Sequence, residues 1–177
     1  FSTLIPVTTG IMPNVAITPR TQNDRFAFLW EGVITIPVTG TYYFRTNSNE
    51  GSRLWLGSLN GTTSPYSFAG VPTVDNNGIH NAQDRTSVAL TLTAGVYPIA
   101  IAFFEQTGSE SMTVSWRTPS TGTSYVAIPN SAFIETAVSG GTAPARPSNL
   151  SATAASYKRI NVSWTDNSNN ETGFEIW

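Results

Sequence analysis

The feature that most constrains this chain is a rhythm: from Phe26 onward, apolar or alternating runs recur, and each is the length of a strand. The runs are Phe26–Leu29, Val33–Val38, Thr41–Thr46, Arg53–Leu56, Ser87–Leu92, Val96–Phe104 and Met112–Arg117. Alternation of apolar and polar residues sends successive side chains to opposite faces of an extended backbone. Turn signals stand between the runs, among them Val38-Thr39-Gly40, Asn49-Glu50-Gly51, Asn76-Asn77-Gly78, Thr93-Ala94-Gly95 and Gln106-Thr107-Gly108. These are the residues that reverse a chain between antiparallel strands. No segment keeps a helical period of about 3.6 residues for long, which argues against βαβ nucleotide-binding folds. The sequence predicts an all-β, antiparallel sandwich or barrel.

Composition supports the same fold and narrows the function. Only 11% of the 177 residues are charged, where an ordinary globular chain carries about a quarter. Polarity comes instead from Thr, Ser and Asn, which suit pleated surfaces and turns. The net charge of −2 and a pI near 5.3 leave no basic field for phosphate backbones, so nucleic acid is not expected as a partner. The absence of cysteine removes disulfides, thiolate zinc sites and thiol nucleophiles together. The longest apolar candidate, Val96–Phe104, falls far short of the ~18–20 residues needed to cross a bilayer. No membrane insertion is expected.

Catalytic patterns are missing. His80 is the sole histidine and no G-x-S-x-G occurs, so neither a Ser/His/Asp triad nor a His-rich zinc site is supported. Glu31, Asp75, Asp84, Glu105 and Glu110 allow many carboxylate pairings for glycoside hydrolysis, and no spacing singles one out. The run from Asp166 to Glu171 lacks the glycine and the terminal bidentate glutamate of a calcium loop. Sequons at Asn60, Asn149, Asn161 and Asn170 are what a chain rich in Asn, Ser and Thr produces by chance.

Organisation changes near Ala137, where Val138-Ser139-Gly140-Gly141-Thr142-Ala143-Pro144 reads as a linker. A first domain over 1–137, a linker over 138–147 and a second, incomplete unit over 148–177 are expected. The second unit carries Pro147-Ser148-Asn149-Leu150, Ile160-Asn161-Val162-Ser163-Trp164 and Thr172-Gly173-Phe174-Glu175-Ile176-Trp177. It resembles the opening, Ig-like strands of a fibronectin type III domain, with Trp164 as its buried strand tryptophan. With Phe1 at one end and Trp177 in a strand-like run at the other, the expectation is a piece of a larger exported protein.

The first domain shows Phe28-Leu29-Trp30-Glu31-Gly32, Gly40-Thr41-Tyr42-Tyr43-Phe44, Gly51-Ser52-Arg53-Leu54-Trp55-Leu56, Val74-Asp75-Asn76-Asn77-Gly78-Ile79-His80, Leu92-Thr93-Ala94-Gly95-Val96-Tyr97-Pro98-Ile99, Phe103-Phe104-Glu105, Val114-Ser115-Trp116 and Ile128-Pro129. In this order, residues 26–133 resemble the PA-fourteen domain, the module of the anthrax protective antigen. The resemblance implies an antiparallel β-barrel or sandwich found in exported glycosidases, adhesins, toxins and surface proteins, where many members bind sugars and some need calcium. In the calcium-dependent members two adjacent aspartates hold the ion, which chelates sugar hydroxyls. Here those positions are Asn49 and Glu50, which keep two oxygen donors but one negative charge.

Several residues could contact a sugar. Asp75, Asn76, Asn77 and His80 offer a carboxylate, two amides and an imidazole, and the same segment also reads as an Asx turn around Gly78. Trp55 and Tyr66 flank a loop of about thirty residues, a length that is uncommon and often functional; either ring stacks on a pyranose or belongs to the core. Trp30 and Trp116 read as core. Arg53 and Glu105 are either binding groups or an ion pair within the sheet.

The expectation is a non-catalytic carbohydrate-binding or adhesion module of an extracellular or cell-surface, bacterial, multidomain protein. Its partners would be a polysaccharide or glycan and the other modules of the same chain. The alternatives are a structural spacer and an accessory domain of a secreted glycoside hydrolase.

Overall fold

Most of the strand-length runs become strands, and among the described residues of the first part of the chain ten strands stack as two antiparallel sheets. The computed structural model describes residues 6–67, 69–134, 147–157 and 159–167. The chain divides into two compact units, Phe1–Thr136 and Ala137–Trp177.

In the first unit, one sheet is built from β1 (Phe26–Ile36), β3 (Ser52–Leu56), β4 (Val74–Asn76), β7 (Gly95–Glu105) and β10 (Phe133–Ile134), in the order β10-β1-β7-β3-β4. The other contains β2 (Gly40–Asn49), β5 (Gln83–Thr86), β8 (Ser111–Arg117) and β9 (Val126–Ala127), in the order β5-β2-β8-β9, with β6 (Leu90–Leu92) also paired to β2. The sheets face each other as a sandwich and do not close into a barrel. Among the described residues the only helical element is a 3₁₀ turn, Asn130–Ala132.

Strand parity decides which side chains meet. Tyr42 and Phe44 on β2, Leu54 on β3, Tyr97, Ile99, Ile101 and Phe103 on β7, and Val114 and Trp116 on β8 all point between the sheets. Full burial of side chains this large is worth about 1.5–3 kcal/mol each and is the main force holding the sheets together. The same inward rows change character toward one end. Beyond Phe44 come Thr46 and Ser48; beyond Leu54, Ser52; beyond Val74, Asn76; beyond Phe103, Glu105, all buried. That polar end of the core lies under the β2–β3, β4–β5 and β7–β8 connections.

Two runs merge, because Phe26–Leu29 and Val33–Val38 share the single strand β1, which pairs with β7 along its whole length. The long loop has less strand than its apolar residues suggest. Tyr66 and Ser67 lie outside any strand, and the Val71–Val74 run contributes only Val74 to β4. Residues 57–73 cover the outer face of the first sheet instead, anchored where Gly57 N–H donates to the Pro98 carbonyl and Asn60 N–H to that of Val96.

The second unit shows an antiparallel pair, β11 (Ser148–Ser156) and β12 (Arg159–Thr165). Trp164 is half-buried in it. The linker over 138–146 and the expected strand 172–177 lie outside the described residues.

Candidate functional site

The polar end of the sandwich brings together the two segments singled out for ligand binding. β2 ends at Asn49, which pairs with Ser111 of β8. The chain then reverses through a cis Asn49–Glu50 peptide and Gly51 into β3. Gly51 is wedged against the second segment: a Cβ there would sit 2.9 Å from the Gly78 backbone N and O and closer still to the Phe104 ring. Only glycine fits. Gly78 itself has φ +129°, a conformation that L side chains rarely adopt.

Small polar side chains lock the segments together from inside. Ser48 and Ser52 share a hydrogen bond (2.8 Å) across the reversal, and Asn76 Nδ2 donates to Ser48 Oγ (2.9 Å) and to the Gln83 carbonyl (3.1 Å). Asn76 is fully buried, so it holds the loop and does not face a ligand. His80 closes the loop from the other side, its ring nitrogens lying 2.9 Å from the Asn81 carbonyl and 3.1 Å from that of Asn76.

Asp75 points out of the sheet and pairs with its cross-strand neighbour Arg53 (Nε to Oδ1, 3.0 Å). The same oxygen accepts the Asn77 N–H (3.1 Å), making the Asx turn. This pairing rules out the alternative of an Arg53–Glu105 ion pair. Arg53 lies opposite Ala102 and shares its outward parity, whereas Glu105 follows Phe103 into the core. The side chains left facing solvent are Asn77 and Ile79, which is 70% exposed, with Asn49 and His80 partly exposed beside them. The hollow between Gly51, Arg53, Asn77 and Phe104 is about 30 Å³, room for one water.

Trp55 lies elsewhere. It is 3% exposed on the outer face of the first sheet with Ala100 and Ala102, meets the Tyr66 ring edge-on (5.2 Å) and donates from Nε1 to the Gly70 carbonyl (3.5 Å). The long loop has turned the expected platform into a small second core. Trp30 and Trp116 pack on the main core as expected.

The calcium expectation depends on how Asn49 and Glu50 present their oxygens. Glu50 is 6% exposed and turns inward, its Oε2 accepting the Gln106 N–H (2.8 Å). One carboxylate oxygen is therefore spent on fastening the β7–β8 connection to the β2–β3 reversal. Glu105 lies on this inner side, 2% exposed, with the Glu50 backbone as its hydrogen-bonding neighbour. Burial pushes its carboxyl above the ordinary range, and the charges of Glu50, Glu110 and Asp24 push it further. Arg20 pairs with Glu110, one of these acids. Calcium takes roughly six to eight oxygens, usually with several carboxylates among them. Asn49 and Glu50 offer a single carboxylate between them, already engaged by the Gln106 N–H, and no group of three His, Asp or Glu side chains is clustered among the described residues.

Sequence reasoning did not single out Ser48, Ser52 or the Glu50–Gln106 latch. The serines were detectable as polar residues at inward strand positions, but the latch joins residues 56 apart in sequence and left no local signal.

A family model for the PA14 domain matches residues 14–129. The chain belongs to the PA14 domain family. Solved PA14-type structures share the sandwich at low identity. The PA14 domain of the MpAFP antifreeze protein superimposes with a TM-score of 0.51 at 15% identity, covering 66% of this chain and 55% of that one. The A domain of epithelial adhesin 6 from Candida glabrata, in complex with Galβ1-3GlcNAc, gives 0.50 at 18%, covering 62% and 50%. The PA14 sugar-binding domain from an RTX adhesin gives 0.48 at 22%, covering 62% and 54%. This chain thus spans about half the length of these solved structures. No curated protein matches the sequence.

Proposed function

We propose that this PA14 domain is a non-catalytic carbohydrate-binding or adhesion module of an extracellular or cell-surface protein, and that it takes a glycan at the end of the sandwich formed by the Asn49–Gly51 and Asn77–His80 segments. The observation that carries this reading is the convergence of the two segments, with Gly51 seated on Gly78 and the Ser48–Ser52–Asn76 network beneath them. A rigid, prearranged loop pair loses little ordering entropy when a weak ligand binds. The adhesin A domain of the same fold, in complex with a disaccharide, adds support. Asn77 and Asn49 amides would meet sugar hydroxyls, and Ile79 an apolar ring face. With Glu50 turned inward, binding here does not depend on calcium. The second unit reads as the start of a fibronectin type III module, and together the modules would belong to a longer, secreted, bacterial protein that carries any hydrolase elsewhere.

A spacer role is the second reading, favoured by the internal engagement of Asn76, His80 and Glu50. Calorimetric titration of the chain against a glycan panel, with calcium and again with chelator, separates the two. Binding that survives chelation is expected. Binding lost with chelator would restore the calcium site, and no binding in either condition would leave the spacer.

A further inference from the structure

The outer face of the second sheet carries two guanidinium groups interleaved with two phenol rings. Register places Tyr43 opposite Arg117 and Arg45 opposite Ser115, and Tyr125 immediately precedes β9, which pairs with β8. The Arg117 guanidinium carbon lies 3.7 Å from the centroid of Tyr43 and 5.9 Å from that of Tyr125, and Arg45 lies 4.4 Å from Tyr125.

The two cations differ in what their N–H groups do. Arg45 donates from Nε to Ser115 Oγ (3.0 Å) and from Nη1 to Asp84 Oδ2 (3.1 Å). Arg117 has no such partners: among the described residues its salt bridges and hydrogen bonds are nil, and its contacts are the two rings. Stacking occupies the π face of a guanidinium and leaves its in-plane donors open. The two rings also restrain the side chain, so part of its ordering is complete before a ligand arrives.

A planar carboxylate matches that fork, accepting two parallel N–H bonds. Polar groups that suit sugar hydroxyls lie along the same face: the Ser115 hydroxyl, and Asn47, whose Nδ2 donates to Asp84 Oδ1 (2.7 Å). We infer that this face is a second glycan-binding surface, specific for a polysaccharide bearing uronic-acid carboxylates, with Arg117 as the carboxylate-binding residue and Tyr43 and Tyr125 positioning it. The surface shares no residue with the loop end and does not rest on the loop-end reading. The chain's net charge of −2 provides no attracting field, so the contact is a local fork and its salt dependence is shallow.

Calorimetry of the full chain with oligogalacturonate, its methyl ester and a sulfated neutral oligosaccharide tests this. Oligogalacturonate binds, the ester does not, and the sulfated sugar, whose anion also meets the fork, binds more weakly. Arg117→Gln, still folded by its melting temperature, weakens binding by about tenfold or more, the size of a lost charge-assisted contact. Arg117→Lys, which keeps the charge without the planar fork, falls between the two. Asn77→Ala at the loop end leaves this titration unchanged. Failure of the wild type to bind, equal binding of the ester or the sulfated sugar, or an unchanged Arg117→Gln would each overturn the inference.

Discussion

The two ends of the inter-sheet core use the same strands for different purposes. At one end Tyr42 and Phe44 lie against Trp116, with ring centroids 6.0 and 6.4 Å apart, and apolar side chains fill the space around them. At the other end, Thr46, Ser48, Ser52, Asn76 and Glu105 continue the same inward rows, and Thr46 Oγ1 and Asn76 Oδ1 have no hydrogen-bond partner among the described residues. Buried polar groups without partners cost stability. The apolar end therefore holds the domain together, and the polar end holds the exposed segments in one shape at the expense of some of that stability.

Truncating the apolar end should do the most damage. Phe44→Ala removes a fully buried ring, and urea denaturation should show a loss of about 3–5 kcal/mol. A loss as small as that of a surface change would mean the stability lies elsewhere. At the polar end, Gly51→Ala forces a methyl into the Phe104 ring and the Gly78 backbone. Its expected cost is about 1–3 kcal/mol, with glycan affinity falling further than the small loss of folded protein explains. Equal affinity in that variant would break the proposed link between loop packing and binding.

Glu105 sharpens the contrast through pH. Its carboxyl is raised in the folded state by burial first and by neighbouring acids second, so the folded chain holds the proton more tightly than the unfolded one. That contribution is fully present below the ordinary carboxylate value of 4.5 and is lost as pH rises through the folded value. Melting curves across pH should show wild type losing stability relative to Glu105→Gln as pH increases above that value. Parallel curves would show that Glu105 is solvated. The smallest effect belongs to the half-exposed Arg53–Asp75 pair: Arg53→Ala should cost below about 1 kcal/mol and less still in high salt.

Much of this fold was legible because alternation is a direct print of strand parity. Phe26–Ile36, Gly40–Asn49 and Ser111–Arg117 fold where the pattern placed strands, although β1 hid as two runs. β5 gave no signal, since Gln83-Asp84-Arg85-Thr86 is polar throughout and is extended only because it pairs with Arg45–Ser48 of β2. The site was half legible. The turn residues at Asn76-Asn77-Gly78 marked the loop, but the Arg53–Asp75 partnership required the β3–β4 register, which no local pattern encodes. Trp55 was legible as core or platform but not as which, because Leu54 and Trp55 are adjacent and both buried, one by the opposing sheet and the other by the covering loop.

The central claim is that a glycan binds where the two segments converge at the polar end. Amide chemical-shift mapping of the chain during titration with a neutral glycan tests it most directly. Shifts should be confined to residues 49–51, 76–81 and 106–110 and unchanged by chelator. Shifts centred on the long loop around Trp55 and Tyr66, or none with any glycan, would contradict it.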